Sequence, residues 1–219
     1  MSNLVNCLEV HLAGADLSRA ELESQCSEAG SLGLRAVCVN GSRVELAYAL
    51  LEATSVKVVA LVGYPLGATD SDVKRFETEV AIDHGAQEVE VVLNAGRLKD
   101  GDGKGVLREL RDMVESADER PVRAILNSSL LTPEEIKLAC EFVVDSGVQL
   151  ISTCTGLMAD ATAADVERLR ALVGPKFGVK ATGKFQDPRL AEALVAAGAT
   201  RIGSPNAIAL ARSLSPVAS

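Results

Sequence analysis

Short apolar runs recur along the chain, each followed by a stretch in which apolar and polar positions alternate at helical spacing. The runs cover residues 36–40, 56–63, 88–94, 122–127, 150–155, 178–183 and 201–204. They are too short for helices and rich in Val and Ile, as parallel strands buried on both faces should be. They lie roughly 20 to 35 residues apart, the length of a strand plus the helix that returns from it. A weaker run over residues 8–12 supplies an eighth strand. The pattern predicts an α/β protein closed into a (β/α)8 barrel.

Helix starts fall between the runs where they should. Thr132-Pro133-Glu134-Glu135 combines an N-cap threonine, a proline at the first helical position and a glutamate three residues on. Residues 69–72 open a helix that runs to Gly85, and residues 161–165 and 186–188 open two more. An open doubly wound sheet would need a glycine-rich phosphate loop after its first strand, and Val39-Asn40-Gly41-Ser42 is not one. The segment 99–105 fits neither a phosphate-binding loop nor a calcium loop, and is expected to be a flexible turn.

The 219 residues suit one domain, 1–219, with no linker or low-complexity tract. Aromatic residues make up only 3% and tryptophan is absent, so the core must be aliphatic. A net charge of −8 argues against a nucleic-acid or anionic-membrane surface, yet leaves room for a lysine cluster inside a pocket. The five cysteines are scattered, and the chain shows neither a signal-peptide pattern nor an apolar stretch near the ~18 residues of a membrane span. That predicts reduced thiols in a cytoplasmic protein. With two histidines and no cysteine cluster, neither a metal nor another cofactor is expected.

In a barrel, chemistry sits at the C-terminal ends of the strands. Strand alternation puts Glu90, Val92 and Asn94 on one face, Lys180 and Thr182 on one face, and Ser152 and Cys154 on one face. The intervening Val89, Val91, Leu93, Val179 and Ala181 suit the helix-facing side. Glu90, Ser152 and Lys180 are therefore expected inside the barrel, where a glutamate and a lysine are costly unless paired or used.

These residues lie within stretches that resemble the deoxyribose-phosphate aldolase family. They are Ala36-Val37-Cys38-Val39-Asn40, residues 88–94, Ser129-Leu130-Leu131-Thr132, Thr153-Cys154-Thr155-Gly156, Gly178-Val179-Lys180-Ala181-Thr182-Gly183 and Ala199-Thr200-Arg201-Ile202-Gly203. The likeness spans roughly residues 7 to 210 in order and spacing. It implies a class I aldolase in which a strand lysine forms an imine with acetaldehyde, a second lysine lowers its pKa and a carboxylate relays protons. The imine lysine's position is Ser152 here, the second lysine is kept as Lys180, and the relay aspartate becomes Glu90. The family's N-terminal Asp-His-Thr stretch becomes Glu9-Val10-His11. The resemblance also implies a phosphate site after the seventh and eighth strands, altered here by Lys184 and by Ser204-Pro205-Asn206.

Lys180, Glu90 and Ser152 are accordingly the catalytic candidates. Beside Glu90, Lys180 is held as an ammonium; desolvated or facing Lys184, it becomes a nucleophile. Candidate substrate-binding residues are Lys184, Gly183, Asn94, Ser204, Asn206, Cys38 and Thr182. Cysteine at positions 38 and 154 also serves as ordinary apolar filling. His11 reaches toward the barrel mouth, and His84 belongs to the end of a surface helix. The expected partner is a small carbonyl compound, phosphorylated, carboxylated or neither, with a homo-oligomer allowed by the resemblance. Three outcomes stay open: an aldolase-type lyase using Lys180, an imine-free dehydratase, isomerase or cyclase using Glu90 and Lys180, and a non-catalytic binding barrel.

Overall fold

All eight expected strands form in the computed structural model, which describes residues 2–214; residue 1 and residues 215–219 of the expected domain lie outside the described part. Helix α1 (Ser2–Val5) precedes β1 (Leu8–Leu12), α2 (Arg19–Leu32) and β2 (Ala36–Asn40). Then follow α3 (Val44–Leu51), β3 (Lys57–Val62), α4 (Ser71–Asp83), β4 (Glu88–Val92), α5 (Ala95–Lys99), α6 (Gly103–Ser116) and β5 (Val122–Ile125). The chain continues through α7 (Pro133–Ser146), β6 (Leu150–Ser152), α8 (Ala163–Val173), β7 (Gly178–Thr182), α9 (Pro188–Ala196), β8 (Arg201–Ser204) and α10 (Ala207–Leu214). Every neighbouring pair is parallel, and β8 closes on β1. Among the described residues no helix is long and apolar enough to cross a membrane.

The sheet separates two apolar clusters, as the alternation requires. Val89, Val91, Leu93, Val179 and Ala181 pack outward against the helices. Ala36, Cys38, Val59, Leu61, Val92 and Ile125 fill one side of the barrel interior. Several strands end earlier than their apolar runs. β6 stops at Ser152, so alternation no longer governs Cys154, whose thiol turns outward and donates to the Thr182 carbonyl at 3.1 Å. β4 stops at Val92, and Asn94 caps α5 by accepting the Arg97 N–H at 3.1 Å. These early exits release the loops that build the barrel mouth.

The segment 99–105 is not a flexible turn. Lys99 ends α5, and Asp102 caps α6 by accepting the Gly105 N–H at 2.9 Å. Its glycines answer to packing: a Cβ on Gly103 would lie 2.3 Å from the Phe142 ring, and one on Gly105 would lie 2.1 Å from the capping carboxylate.

The helix starts follow their sequence signals. Thr132 forms a reciprocal capping box with Glu135, with Pro133 at the first helical position, and Asp70, Thr162 and Asp187 cap α4, α8 and α9. Thr132→Ala should cost about 1 kcal/mol of stability, read as a lower urea midpoint with an unchanged slope.

Candidate active site

Parallel pairing turns register partners to the same face, so the barrel interior follows directly from the ladder. Glu90 pairs with Arg123, Ser152 with Lys180, Lys180 with Arg201, and His11 with Cys38. The interior of such a barrel is usually layered with branched apolar side chains. Here much of it is ionic. Lys180 Nζ lies 2.6 Å from Glu90 Oε2, 2.8 Å from Glu9 Oε2 and 3.6 Å from Cys38 Sγ. Arg123 donates through one terminal nitrogen to both Glu9 oxygens at 2.8 Å and through Nε to Glu88 at 2.7 Å. Arg201 approaches Glu9 at 3.5 Å. Three carboxylates thus balance three cations, and Glu9, Glu90 and Lys180 are fully buried.

Gly203 makes room for this. A Cβ there would sit 2.7 Å from both His11 Nε2 and Lys180 Cε. His11 therefore lies against Lys180 at the top of the ionic layer. Its Nε2 is buried without a hydrogen-bond partner, and so is Glu90 Oε1.

The network sets the protonation states. Burial opposes the Lys180 ammonium, but Cys38, Glu9 and Glu90 outweigh it and raise its pKa above the ordinary lysine range. Burial itself pushes the Cys38 thiol well up, so the thiol stays protonated and the carboxylates do the holding. Burial also works against the Glu9 carboxylate, yet Arg123 and Lys180 pull its pKa below the usual range. His11 is driven well below its ordinary value by burial and then by Lys180, so its imidazole is neutral.

These directions fix a stability profile. Below about pH 6.5 the unfolded chain takes a proton that folded His11 refuses, and further down the folded Glu9 resists protonation too, so stability falls on acidification. Above about pH 9 the unfolded thiol of Cys38 loses its proton and the folded one does not, and Lys180 adds the same sign near pH 10.5, so stability falls again. Thermal melts between pH 4 and 11 should show a plateau between about 6.5 and 9. A maximum outside that window would contradict the assignment.

Above the ionic layer a cavity of about 230 Å³ opens at the barrel mouth. His11 and Thr182 lie among its lining with Tyr64, Thr155, Leu157, Lys184 and Pro205. Tyr64 spans the mouth, its hydroxyl donating to the Thr155 carbonyl at 3.0 Å. Asn127, in the left-handed region at φ 51°, accepts the Thr155 N–H at 3.0 Å and ties the β5 and β6 loops together.

The structure brings Lys180, Glu90 and Cys38 into direct contact, with Ser152 on the adjacent strand. Ser152 Oγ lies 3.1 Å from Thr182 Oγ1. Thr182 and Lys184 line the cavity, while the Gly183 N–H is bound to the Gly203 carbonyl at 3.0 Å. Ser204 Oγ donates to the Phe185 carbonyl and accepts the Asn206 N–H at 3.1 Å. Asn94 is not brought to the cavity, being engaged at the start of α5. His84 is exposed at the end of α4, as expected of a surface helix terminus.

Glu9 as a partner of Lys180, and Glu88, Arg123 and Arg201 as the rest of the ionic layer, go beyond the sequence expectation. Alternation of Leu8, Val10 and Leu12 against Glu9 and His11 carries the signal for Glu9; a lone arginine inside the apolar run 122–127 carries it for Arg123. Donor atoms of Glu9, His11, Cys38 and Glu90 all lie within 4.8 Å of one another, a grouping able to ligate a metal. The Lys180 ammonium already stands in contact with three of the four and fills the place a cation would take.

No family model matches the chain. It is 44% identical over 210 residues to deoxyribose-phosphate aldolase of Exiguobacterium sibiricum, covering 95% of each chain. It is 41% identical over 211 residues to the same-named protein of a Geobacillus strain, again covering 95% of both. Among solved structures, an aldolase named QR15 superposes with a TM-score of 0.93 at 31% identity, over 98% of this chain and 96% of that one. A deoxyribose phosphate aldolase from Aeropyrum pernix, described as tetrameric, superposes at 0.90 with 26% identity, over 96% and 90% of the two chains. Closed barrel, motif register and near full-length identity agree: the chain belongs to the deoxyribose-phosphate aldolase family.

Proposed function

We propose that this chain is an aldehyde-lyase-type enzyme that makes or breaks a carbon–carbon bond next to a small carbonyl group, at the barrel mouth and without an imine. Family membership supports the lyase class. One observation carries the imine-free mechanism: Lys180 is a buried ammonium clamped 2.6 and 2.8 Å from two carboxylates. An ammonium has no lone pair with which to attack a carbonyl, and Ser152 offers only a hydroxyl already bonded to Thr182.

The remaining groups suit acid–base work. In the cleavage direction a base takes the proton of the β-hydroxyl, the carbon–carbon bond breaks, and its electrons pass to the carbonyl oxygen as an enolate. Neutral His11, lining the cavity, is the base and returns that proton to the enolate carbon. The Lys180 ammonium beneath it, held protonated by Glu9 and Glu90, is the fixed positive charge that favours the enolate oxygen, and the Ser152–Thr182 hydroxyl pair orients that oxygen. The cleaved compound leaves as two carbonyl products.

Solvent-deuterium exchange into acetaldehyde, run beside cyanoborohydride trapping and intact-mass measurement, tests this. The expected result is exchange with no covalent adduct, and exchange reduced about 100-fold or more in His11→Asn. An adduct lost in Lys180→Met would overturn the imine-free mechanism. No exchange or turnover with any carbonyl would overturn the enzyme assignment and favour a non-catalytic binding barrel, for which the complete burial of Lys180 is the supporting observation.

A further inference from the structure

In (β/α)8 barrels a phosphate group is commonly held by backbone N–H groups in the loops after the seventh and eighth strands and at the helix that follows. The loop donors nearest the cavity are spent internally here. The Gly183 N–H donates to the Gly203 carbonyl at 3.0 Å, and the Lys184 N–H donates to Asp160 Oδ1 at 2.8 Å. Pro205 has no N–H, and the Asn206 N–H donates to Ser204 Oγ at 3.1 Å. Asp160 is built into the position, not merely near it: a Cβ on Gly183 would meet the Asp160 Cβ at 2.9 Å, so the absence of that carbon admits the aspartate.

Charge points the same way. A phosphate dianion entering this corner would have to displace the Asp160 carboxylate from the Lys184 amide and then lie beside it as a like charge. Among the cavity-lining residues Lys184 is the sole formal charge, since His11 is neutral. Beside the hydroxyls of Tyr64, Thr155 and Thr182 the lining is uncharged and largely apolar, with Leu157 55% exposed and the adjoining Met158 45% exposed, alongside Ala13 and Pro205. Large apolar side chains left open at the mouth of a cavity favour a ligand with an apolar end.

We propose that this site takes an uncharged carbonyl compound with an apolar end and rejects phosphate esters, with Asp160 as the specificity-determining residue. Its carboxylate occupies the amide that a phosphate oxygen would need and repels the dianion. The inference deepens the carbonyl-lyase reading of the cavity and rests on it for the carbonyl class alone; the exclusion of phosphate stands on the geometry.

Binding to the full chain, followed by NMR titration, separates the two. The probes are butanal, 2-deoxyribose, 2-deoxyribose 5-phosphate and inorganic phosphate, with wild type and Asp160→Ala compared. Wild type should bind butanal most tightly and 2-deoxyribose more tightly than its phosphate ester, with no saturable binding of phosphate. Asp160→Ala, at an exposed side chain, should fold normally and improve the ester-to-sugar affinity ratio about tenfold. Tighter binding of the ester by wild type, an unchanged ratio in the variant, or binding of none of the carbonyl probes would overturn the inference. Selective butanal binding without any exchange would leave the specificity intact and refute only the lyase reading. Turnover of the phosphate ester would do the reverse.

Discussion

Lys180→Met should lower the unfolding free energy by about 3–5 kcal/mol, the range seen when one partner of a buried ion pair is removed. The reason lies in how unevenly the remaining charges are served. Glu9 keeps Arg123 at 2.8 Å and Arg201 at 3.5 Å. Glu90 keeps nothing: its Oε2 bonds to Lys180 and its Oε1 is already without a partner. The cost therefore falls on Glu90, and at neutral pH the melting temperature should drop by roughly 10 °C for a chain of this length. Lys180→Met combined with Glu90→Gln should recover most of the loss, giving a large coupling energy in a double-mutant cycle. A loss that Glu90→Gln fails to recover would place the lysine's contribution elsewhere.

The same asymmetry explains which parts of the site the sequence revealed. Lys180 and Glu90 were visible because each sits inside a short apolar run, where strand alternation leaves a charged residue no surface to reach. Arg123 sits in such a run too, but its partners are Glu9, 114 residues away, and Glu88 on the neighbouring strand. Only closure of the barrel brings Glu9 to both Arg123 and Lys180, and periodicity reports which face a residue takes, not which residue it meets. The strands were legible from Val and Ile content, down to the limits of β2 and β8, while their C-terminal ends were not. Residues such as Asn94 and Cys154 leave the ladder to cap a helix or bond a loop carbonyl, a decision made by tertiary partners. The α5–α6 junction was hidden for a related reason. Gly103 and Gly105 read as a loop, yet each is a helical glycine required by a neighbour, Phe142 in one case and Asp102 in the other.

Ser152→Lys should turn a barrel that gives no trapped adduct into one that forms an imine with acetaldehyde. Position 152 is in register with Lys180 on the adjacent strand, on the same interior face, and beside Thr182 at the cavity lining. A lysine there would enter a different environment from Lys180. Glu9 is committed to Lys180 and Arg123 and one Glu90 oxygen to Lys180, so the newcomer meets burial and a neighbouring ammonium, which lower its pKa, with Glu90 Oε1 alone left to oppose them. The lowered pKa enlarges the free-amine fraction at neutral pH, which makes the amine a nucleophile. The Lys180 ammonium, kept protonated by its carboxylates, is what makes this difference. Ser152→Lys combined with Lys180→Met should therefore trap far less. The substitution costs about 1–3 kcal/mol of overpacking, and an intact melting transition must accompany the result. Cyanoborohydride trapping followed by peptide mapping locates the adduct. A folded Ser152→Lys chain that gains no ethyl group at residue 152 would mean that the cavity does not reach β6. The serine would then be packing, and the acid–base site would lie wholly on the His11 side of the mouth.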